Sequence, residues 1–514
     1  MTFVSYEFFI FAGGILLLYS VLSKIFSHSV RLKPGLLFLA SAGFLWICGG
    51  WLSLIFYGLT AGLVWAGGLE IERRRDKKRQ GAGYIFGAVL ALLLCMLAVF
   101  RYINFPGYTV EEISWLTGGD WQWTPIEIAA PIAISFYTLT LLGYFIDVYW
   151  GSLKAEKNIF RLMLFGGFFP QMSVGPVARY DRLSPTLFGE PGITRSDIQE
   201  GCLIIVWGLF KKLVISERLA VIVNTVYGDM ETYSGSFLVM GAVCFVFQLY
   251  TDFGGAVDIA TGTARLFGVR LELNFNQPFY SRSVAEFWRR WHITLGGWFK
   301  DYVMYPLLKS RLFQKMGSWG KKRFGKKQGK KVPVIAGLFT VWFLLGLWHG
   351  GKWTFIIGSG LYHALLMSLA VAAEPAVKRF YEKTKISVDH PIWVMFQRVR
   401  TFILVAVGFV FFRSDSLAMA FNIFSGMFSG NTGLFTKEGF LSMGLSAADI
   451  MVLAVSMIIL WWDSFRKEHR EEECRQADEK NWKTAVSLLL AFVVLILGCY
   501  GKGYDPAAFI YAQF

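Results

Sequence analysis

The chain has 514 residues, 55% hydrophobic and 17% aromatic, but only 17% charged, where soluble globular domains carry about 25%. It carries a net charge of +15, and its six cysteines show no CxxC pair or metal-ligand spacing. The composition points to an all-α polytopic membrane protein and not a soluble enzyme, and neither a disulfide framework nor a zinc site is indicated. The charge concentrates at Glu72–Arg79 and Lys309–Lys331. The positive-inside rule puts both clusters on the cytoplasmic side. There they attract anionic membrane lipids or receive an acidic partner, such as a nucleotide-bearing donor or an acyl carrier protein. No nucleic-acid partner is expected.

Apolar runs of about 20 residues, enough to cross a ~30 Å hydrocarbon core as helix, recur along the chain. They fall at 5–22, 36–68, 83–100, 127–149, 200–224, 235–250, 333–349, 353–373, 394–412, 447–462 and 484–500. The first is read as a retained span, because a basic leader and cleavage site are missing. The 36–68 run is long and broken by glycines, so it reads as two spans or one broken helix. That gives about ten to twelve spans. Trp115, Trp121 and Trp123 follow the third run and read as interfacial anchors of a non-cytoplasmic loop. Residues 160–180 are apolar but interrupted by Gly166, Gly167, Pro170, Gly175 and Pro176. Such backbone at membrane depth needs a protein or water-filled lining, so this stretch reads as re-entrant.

Phe247–Arg270 carries Gln248, Tyr250, Asp252 and Asp258 in apolar surroundings. Intramembrane carboxylates mark functional sites by default, although a pairing with Arg265 or Arg282 accounts for them equally well. In SVAEFWRRWHITL (283–295), Ser283 and Glu286 have capping-box spacing. The stretch reads as one amphipathic helix at the membrane surface, carrying Arg289, Arg290 and His292. In FTVWFLLGLWHGGKW (339–353), His349 is the one ionisable residue deep in an apolar span. A desolvated imidazole stays neutral and can accept a proton, which makes His349 a candidate base. A histidine satisfied by a neighbouring carbonyl or tyrosine is the structural alternative. Gly346, Gly350 and Gly351 around it permit close approach of another backbone or a substrate. The chain ends FIYAQF, and an aromatic terminus reads as a segment that inserts into something or anchors at the interface.

FYTLTLLGYFIDVYWG (136–151), FFPQMSVGPVARY (168–180), LYTDFGGAVDIATGTARLFG (249–268), NFNQPFYSRSVAEFWRRWHITLGGWFKDYVMYPL (274–307), LWHGGKWTF (347–355) and FVFFRSDS (409–416) together resemble the membrane-bound O-acyltransferase (MBOAT) family. The bacterial alginate O-acetyltransferase membrane subunits are the group they look most like. The resemblance implies a helical bundle with a re-entrant segment and a central funnel. It divides the chain into N-terminal spans (1–130), a core (131–416), C-terminal spans (417–500) and an extracytoplasmic tail (501–514). It implies a bacterial inner-membrane location. The family's two histidines fall on His292 and His349, the latter as the principal catalytic one. Tyr511 matches a tail tyrosine thought to carry the acyl group briefly. The implied donor is acetyl-CoA or a carrier-bound thioester, with no bound cofactor and no metal. Arg289, Arg290 and Lys300 are expected at the donor, and Gln248, Asp252, Asn276 and Trp348 along the funnel. The implied partners are an extracytoplasmic serine esterase-like transferase and a polysaccharide acceptor. D-alanyl transfer to teichoic acid is the alternative within the family. A transporter of lipid-linked sugar is the alternative outside it, although the sequence has no visible two-fold repeat.

Overall fold

The computed structural model describes residues 2–26, 32–189, 193–469 and 482–500. The tail carrying Tyr511 lies outside the described residues. The chain is a bundle of helices, with an isolated Phe275–Trp291 bridge as its extended pairing. Seven described helices are individually long and apolar enough to cross a membrane, so this is a multi-pass membrane protein.

Helix α1 (Tyr6–Ile25) starts at Ser5, whose hydroxyl accepts the Phe8 N–H. Helix α2 (Leu32–Asp76) breaks at Gly50, where φ is 63°. Its two ends lie on the same side of the bundle. Lys33 at one end donates to the Thr186 carbonyl (2.8 Å), and Arg75 at the other donates to Val148 (2.9 Å). The Thr186 and Val148 regions are joined through Tyr180, which donates to Glu156. The glycine-broken run is therefore a hairpin of two spans, with Gly50 at the far turn. The side holding Arg73, Arg74 and Arg75 is called the basic face below.

Helices α3 (Ala82–Tyr102) and α4 (Phe105–Leu116) follow. Helix α5 (Ile134–Trp150) starts later than the apolar run at 127 suggests. Pro131 lacks an N–H, Ala133 is left-handed (φ 60°), and the chain before them is mostly exposed. Helix α6 (Ile159–Gly167) has nine residues, too few to cross. The backbone then runs without helix, buried, to α7 (Tyr180–Phe188), back at the basic face. This is the expected re-entrant segment. It packs on the α2 hairpin, where Ser41 accepts the Phe169 N–H and Tyr57 donates to the Met163 carbonyl.

Helix α8 (Arg195–Leu209) begins in a capping box of Thr194 and Asp197, and continues through a π-helical stretch (Phe210–Ser216) into α9 (Glu217–Gly228). Helix α10 (Ser236–Leu266) runs its full length against them. It absorbs both the 235–250 run and most of the polar region after it. Its charges pair with α8–α9 and not among themselves. Asp252 meets Lys212 at 2.6 Å, Asp258 meets Lys211 at 2.8 Å, and Arg265 meets Glu200 and Asp197 at 2.7 and 3.2 Å.

The expected single helix over 283–295 is two short ones, α11 (Val284–Arg290) and α12 (Ile293–Phe299). Ser283 does cap α11, accepting the Glu286 N–H. The break at Trp291–His292 arises because backbone bonds to a distant segment replace the helical ones. Asn276 N–H donates to the Arg290 carbonyl (2.9 Å), and Ile293 N–H to the Asn274 carbonyl (3.0 Å). After α13 (Tyr305–Lys309), the basic helix α14 (Arg311–Gly329) meets α15 (Val332–Trp348) at 94°. Tyr302, just before α13, donates to Asp147 (2.6 Å) beside the Arg75 anchor at Val148, so α14 starts at the basic face and α15 turns away from it at the bend. A short α16 (Trp353–Phe355) leads through another π-helical stretch (Ile356–Leu361) into α17 (Tyr362–Thr384), and α18 (Pro391–Arg413) returns. Gly346 lets α15 touch backbone: a Cβ there would stand 2.6 Å from the Ile356 Cα. Helices α19 (Leu417–Gly426), α20 (Lys437–Leu441), α21 (Ala447–His469) and α22 (Trp482–Leu497) complete the described chain.

Candidate active site

His292 sits between α11 and α12 in a left-handed conformation (φ 45°, ψ 51°), and is 4% exposed. Its Nδ1 lies 3.1 Å from the Asn274 side-chain oxygen. That oxygen also accepts from the Thr294 hydroxyl (2.8 Å) and the Thr294 N–H (3.3 Å). A backbone N–H can only donate, so the Asn274 atom is the acceptor oxygen and His292 donates from Nδ1. The lone pair is thereby assigned to Nε2. The Thr294 hydroxyl in turn accepts the Val177 N–H (3.0 Å), which ties the site to the re-entrant segment.

His349 closes α15 and is 3% exposed. Val332–Trp348 has 17 residues, so His349 lies about 25 Å of helix from the basic face. The chain turns away at once through Gly351 (φ 68°), against Tyr102 and Phe105 at the far end of α3. Trp348 stands between the two histidines, with ring centroids 6.1 Å from His292 and 5.1 Å from His349. Phe412 of α18 covers the His349 ring at 5.5 Å.

A cavity of about 490 Å³ joins these groups. His292, His349 and Ser359 line its inner part, and the exposed Arg289 and Lys300 its mouth. The walls are apolar, formed by Trp288, Trp291, Val341, Trp342, Leu345 and Phe409. That volume and lining suit a slender, partly apolar ligand with an anionic end. The arrangement offers imidazole nitrogens at the bottom of a shielded channel with cations at its entrance.

The other sequence candidates lie elsewhere. Arg290 points to Glu468 (2.6 and 3.1 Å) and Glu286 (2.9 Å). Asp252 is buried between Lys212 and Ser216, and Gln248 lies one turn before it; neither lines the cavity. Asn276 is exposed, and Asn274, two residues earlier, meets His292 instead. Sequence reading passed over Asn274, Thr294 and Ser359.

No family model matches the chain. Among curated proteins it is 32% identical over 412 residues to a probable alginate O-acetylase of Pseudomonas aeruginosa, covering 79% of this chain and 70% of that one. It is 30% identical to the peptidoglycan O-acetyltransferase of Helicobacter pylori, over 70% of this chain and 67% of the relative. It is 28% identical to the teichoic acid D-alanyltransferase of Bacillus subtilis, over 68% and 80% respectively. Matched along most of its length by enzymes that transfer acyl groups, the chain belongs to the membrane-bound O-acyltransferase family and is an acyltransferase.

Proposed function

We propose that this protein takes an acetyl group from a cytoplasmic thioester, acetyl-CoA or a carrier-bound acyl, and delivers it across the bacterial inner membrane. The delivered group O-acetylates a cell-surface or secreted polysaccharide. The observation that carries this reading is the cavity, which opens beside Arg289 and Lys300 on the basic face and ends at His292 and His349. The basic face is cytoplasmic by the positive-inside rule. The names of the relatives favour acetyl as the group and polysaccharide as the destination.

In the transfer, an acceptor hydroxyl reaches His349 from the far face and attacks the thioester carbonyl carbon. His349 takes the hydroxyl proton as the C–O bond forms. The tetrahedral intermediate then collapses, the C–S bond breaks, and the proton on His349 goes to the departing thiolate. His292, held by Asn274, orients the thioester beside His349. The acceptor is the phenol of Tyr511 in the tail, whose aryl ester is reactive enough to pass the acetyl to a serine esterase-like partner outside. Lipid on the cytoplasmic side adds to the attraction of the basic face for anionic donors.

Two experiments follow. In sealed vesicles of known orientation, radiolabelled acetyl-CoA should label the protein only from the basic-face side; equal labelling from both sides contradicts the reading. Asn274→Ala should lower kcat about a hundredfold by letting the His292 ring turn, with Asn274→Asp recovering part of it. An unchanged kcat in Asn274→Ala would remove Asn274 as a positioning residue.

A further inference from the structure

We propose that Ser359 and Trp288 hold the donor by the amide carbonyl nearest its thioester sulfur. This builds on the functional reading above, in which the donor is a thioester on a pantetheine arm, as acetyl-CoA and a carrier-bound acyl both are. Ser359 lies in the π-helical stretch Ile356–Leu361 and lines the cavity. Glycines on either side of it let that stretch wedge between two helices. A Cβ on Gly358 would stand 2.6 Å from the Gly408 carbonyl oxygen of α18, and one on Gly360 2.6 Å from the Trp342 carbonyl oxygen of α15. Ser359 is thereby set at the cleft between α15 and α18, where it is 2% exposed.

Its hydroxyl has no hydrogen-bond partner among the described residues. A helical serine ordinarily returns its hydroxyl to the carbonyl four residues back, as Ser41 does to Leu37 (2.7 Å) and Ser414 to Val410 (2.8 Å). Ser359 makes no such bond. Other buried hydroxyls also lack a partner among the described residues, but Ser359 is the one on the cavity wall. Trp288 lines the cavity as well, and its indole N–H is likewise buried and unpartnered. The Trp288 ring is fixed by edge contacts with Trp342 (4.8 Å) and with His363 (4.9 Å), which follows Ser359 by one turn. Two hydrogen-bond donors from separate elements thus sit in one largely apolar wall. Were Ser359 only a small residue filling that wall, alanine would do so without burying a hydroxyl.

Their position along the channel matches the chemistry of the donor. A Cβ on Gly360 would also stand 3.6 Å from the Gly346 Cα, so Ser359 sits level with Trp342–Gly346. That is on the order of 5–10 Å of helix nearer the mouth than His349. With the thioester at His349, the pantetheine arm runs back past this level, and its first amide stands two methylenes from the sulfur. An amide carbonyl oxygen has two lone pairs and accepts both the Ser359 O–H and the Trp288 N–H. An amide left unpaired in an apolar channel is costly, so this contact fixes how far the arm enters and stops the thioester carbonyl beside His349. A thioester on a plain alkyl arm leaves both donors unpaired, which lets the channel select for the amide.

The test uses full-length protein in phospholipid vesicles with two donors: acetyl-CoA, and an analogue of it in which that amide is replaced by two methylenes. Ser359→Ala should lower kcat/KM for acetyl-CoA roughly five- to tenfold. Trp288→Phe, which keeps the aromatic wall but not the N–H, should do the same. The wild-type protein should lose at least as much on the analogue, and Ser359→Ala should lose nothing further there. The thermal unfolding midpoint of Ser359→Ala should be no lower than the wild-type value, since a buried unpaired hydroxyl has been removed. An equal loss in Ser359→Ala with both donors overturns the proposal, because the hydroxyl then acts on something other than the amide. Wild-type kcat/KM in Ser359→Ala with acetyl-CoA, while His349→Ala is inactive, overturns it alone. Full activity in His349→Ala overturns instead the functional reading on which it builds.

Discussion

Replacing His349 with alanine is expected to lower kcat about a thousandfold while leaving the fold and donor binding in place. His349 is a buried group lining the inner part of the cavity. In the proposed transfer the donor reaches it through the channel mouthed by Arg289 and Lys300, and the acceptor comes past the end of α3. Removing the imidazole takes away the proposed proton acceptor without touching the entrance, so KM for the thioester should stay close to wild type. His349→Gln keeps the side chain polar but supplies no base, and it should be as inactive as alanine. Steady-state kinetics on vesicle-embedded protein checks both, with the thermal unfolding midpoint as the control for folding. A His349→Gln variant within tenfold of wild type would show that another group takes the proton.

The second large effect is on stability. Lys212→Met should destabilise the protein by about 3–5 kcal/mol, because it leaves Asp252 buried without its ammonium partner. Lys212 is 3% exposed and Asp252 1%, and Glu217 also meets Lys212, at 2.7 Å. The cluster locks α10 to the π-helical stretch between α8 and α9, where a change in register would propagate to Leu249 on the cavity wall. The double change Lys212→Met with Asp252→Asn removes both charges, so most of the loss should return. Thermal unfolding in detergent measures each variant. Lys212→Met unfolding at the wild-type temperature would mean that the pair does not hold the helices together.

Several of these features could be read from the residues. Apolar run length located most spans, because the bilayer thickness sets a fixed count of helical residues. His349 stood out because it follows ten almost wholly apolar residues, Phe339 to Trp348. The breaks in 160–180 pointed to re-entry because proline and glycine cannot sustain a spanning helix there. What escaped depends on distant partners. Hydrophobic pattern cannot tell whether the chain at Gly50 bends or reverses; the anchors of Lys33 and Arg75 decide it. The sequence 283–295 has a helical pattern throughout, yet Asn274 and Asn276 take two of its backbone groups and break it at His292. Asp252 and Asp258 advertised themselves as intramembrane charges, but their partners Lys211 and Lys212 are some forty residues away. The doublet KK inside WGLFKKLVIS was the available signal, as lysines in an apolar run need carboxylates.

The route of the acyl group is tested most directly by mass spectrometry of the C-terminal peptide after membranes are incubated with acetyl-CoA. The account predicts an acetyl increment on Tyr511 in the wild-type protein and none in His349→Ala. An unmodified tail in an active enzyme, or an acetylated Tyr511 in His349→Ala, would contradict it.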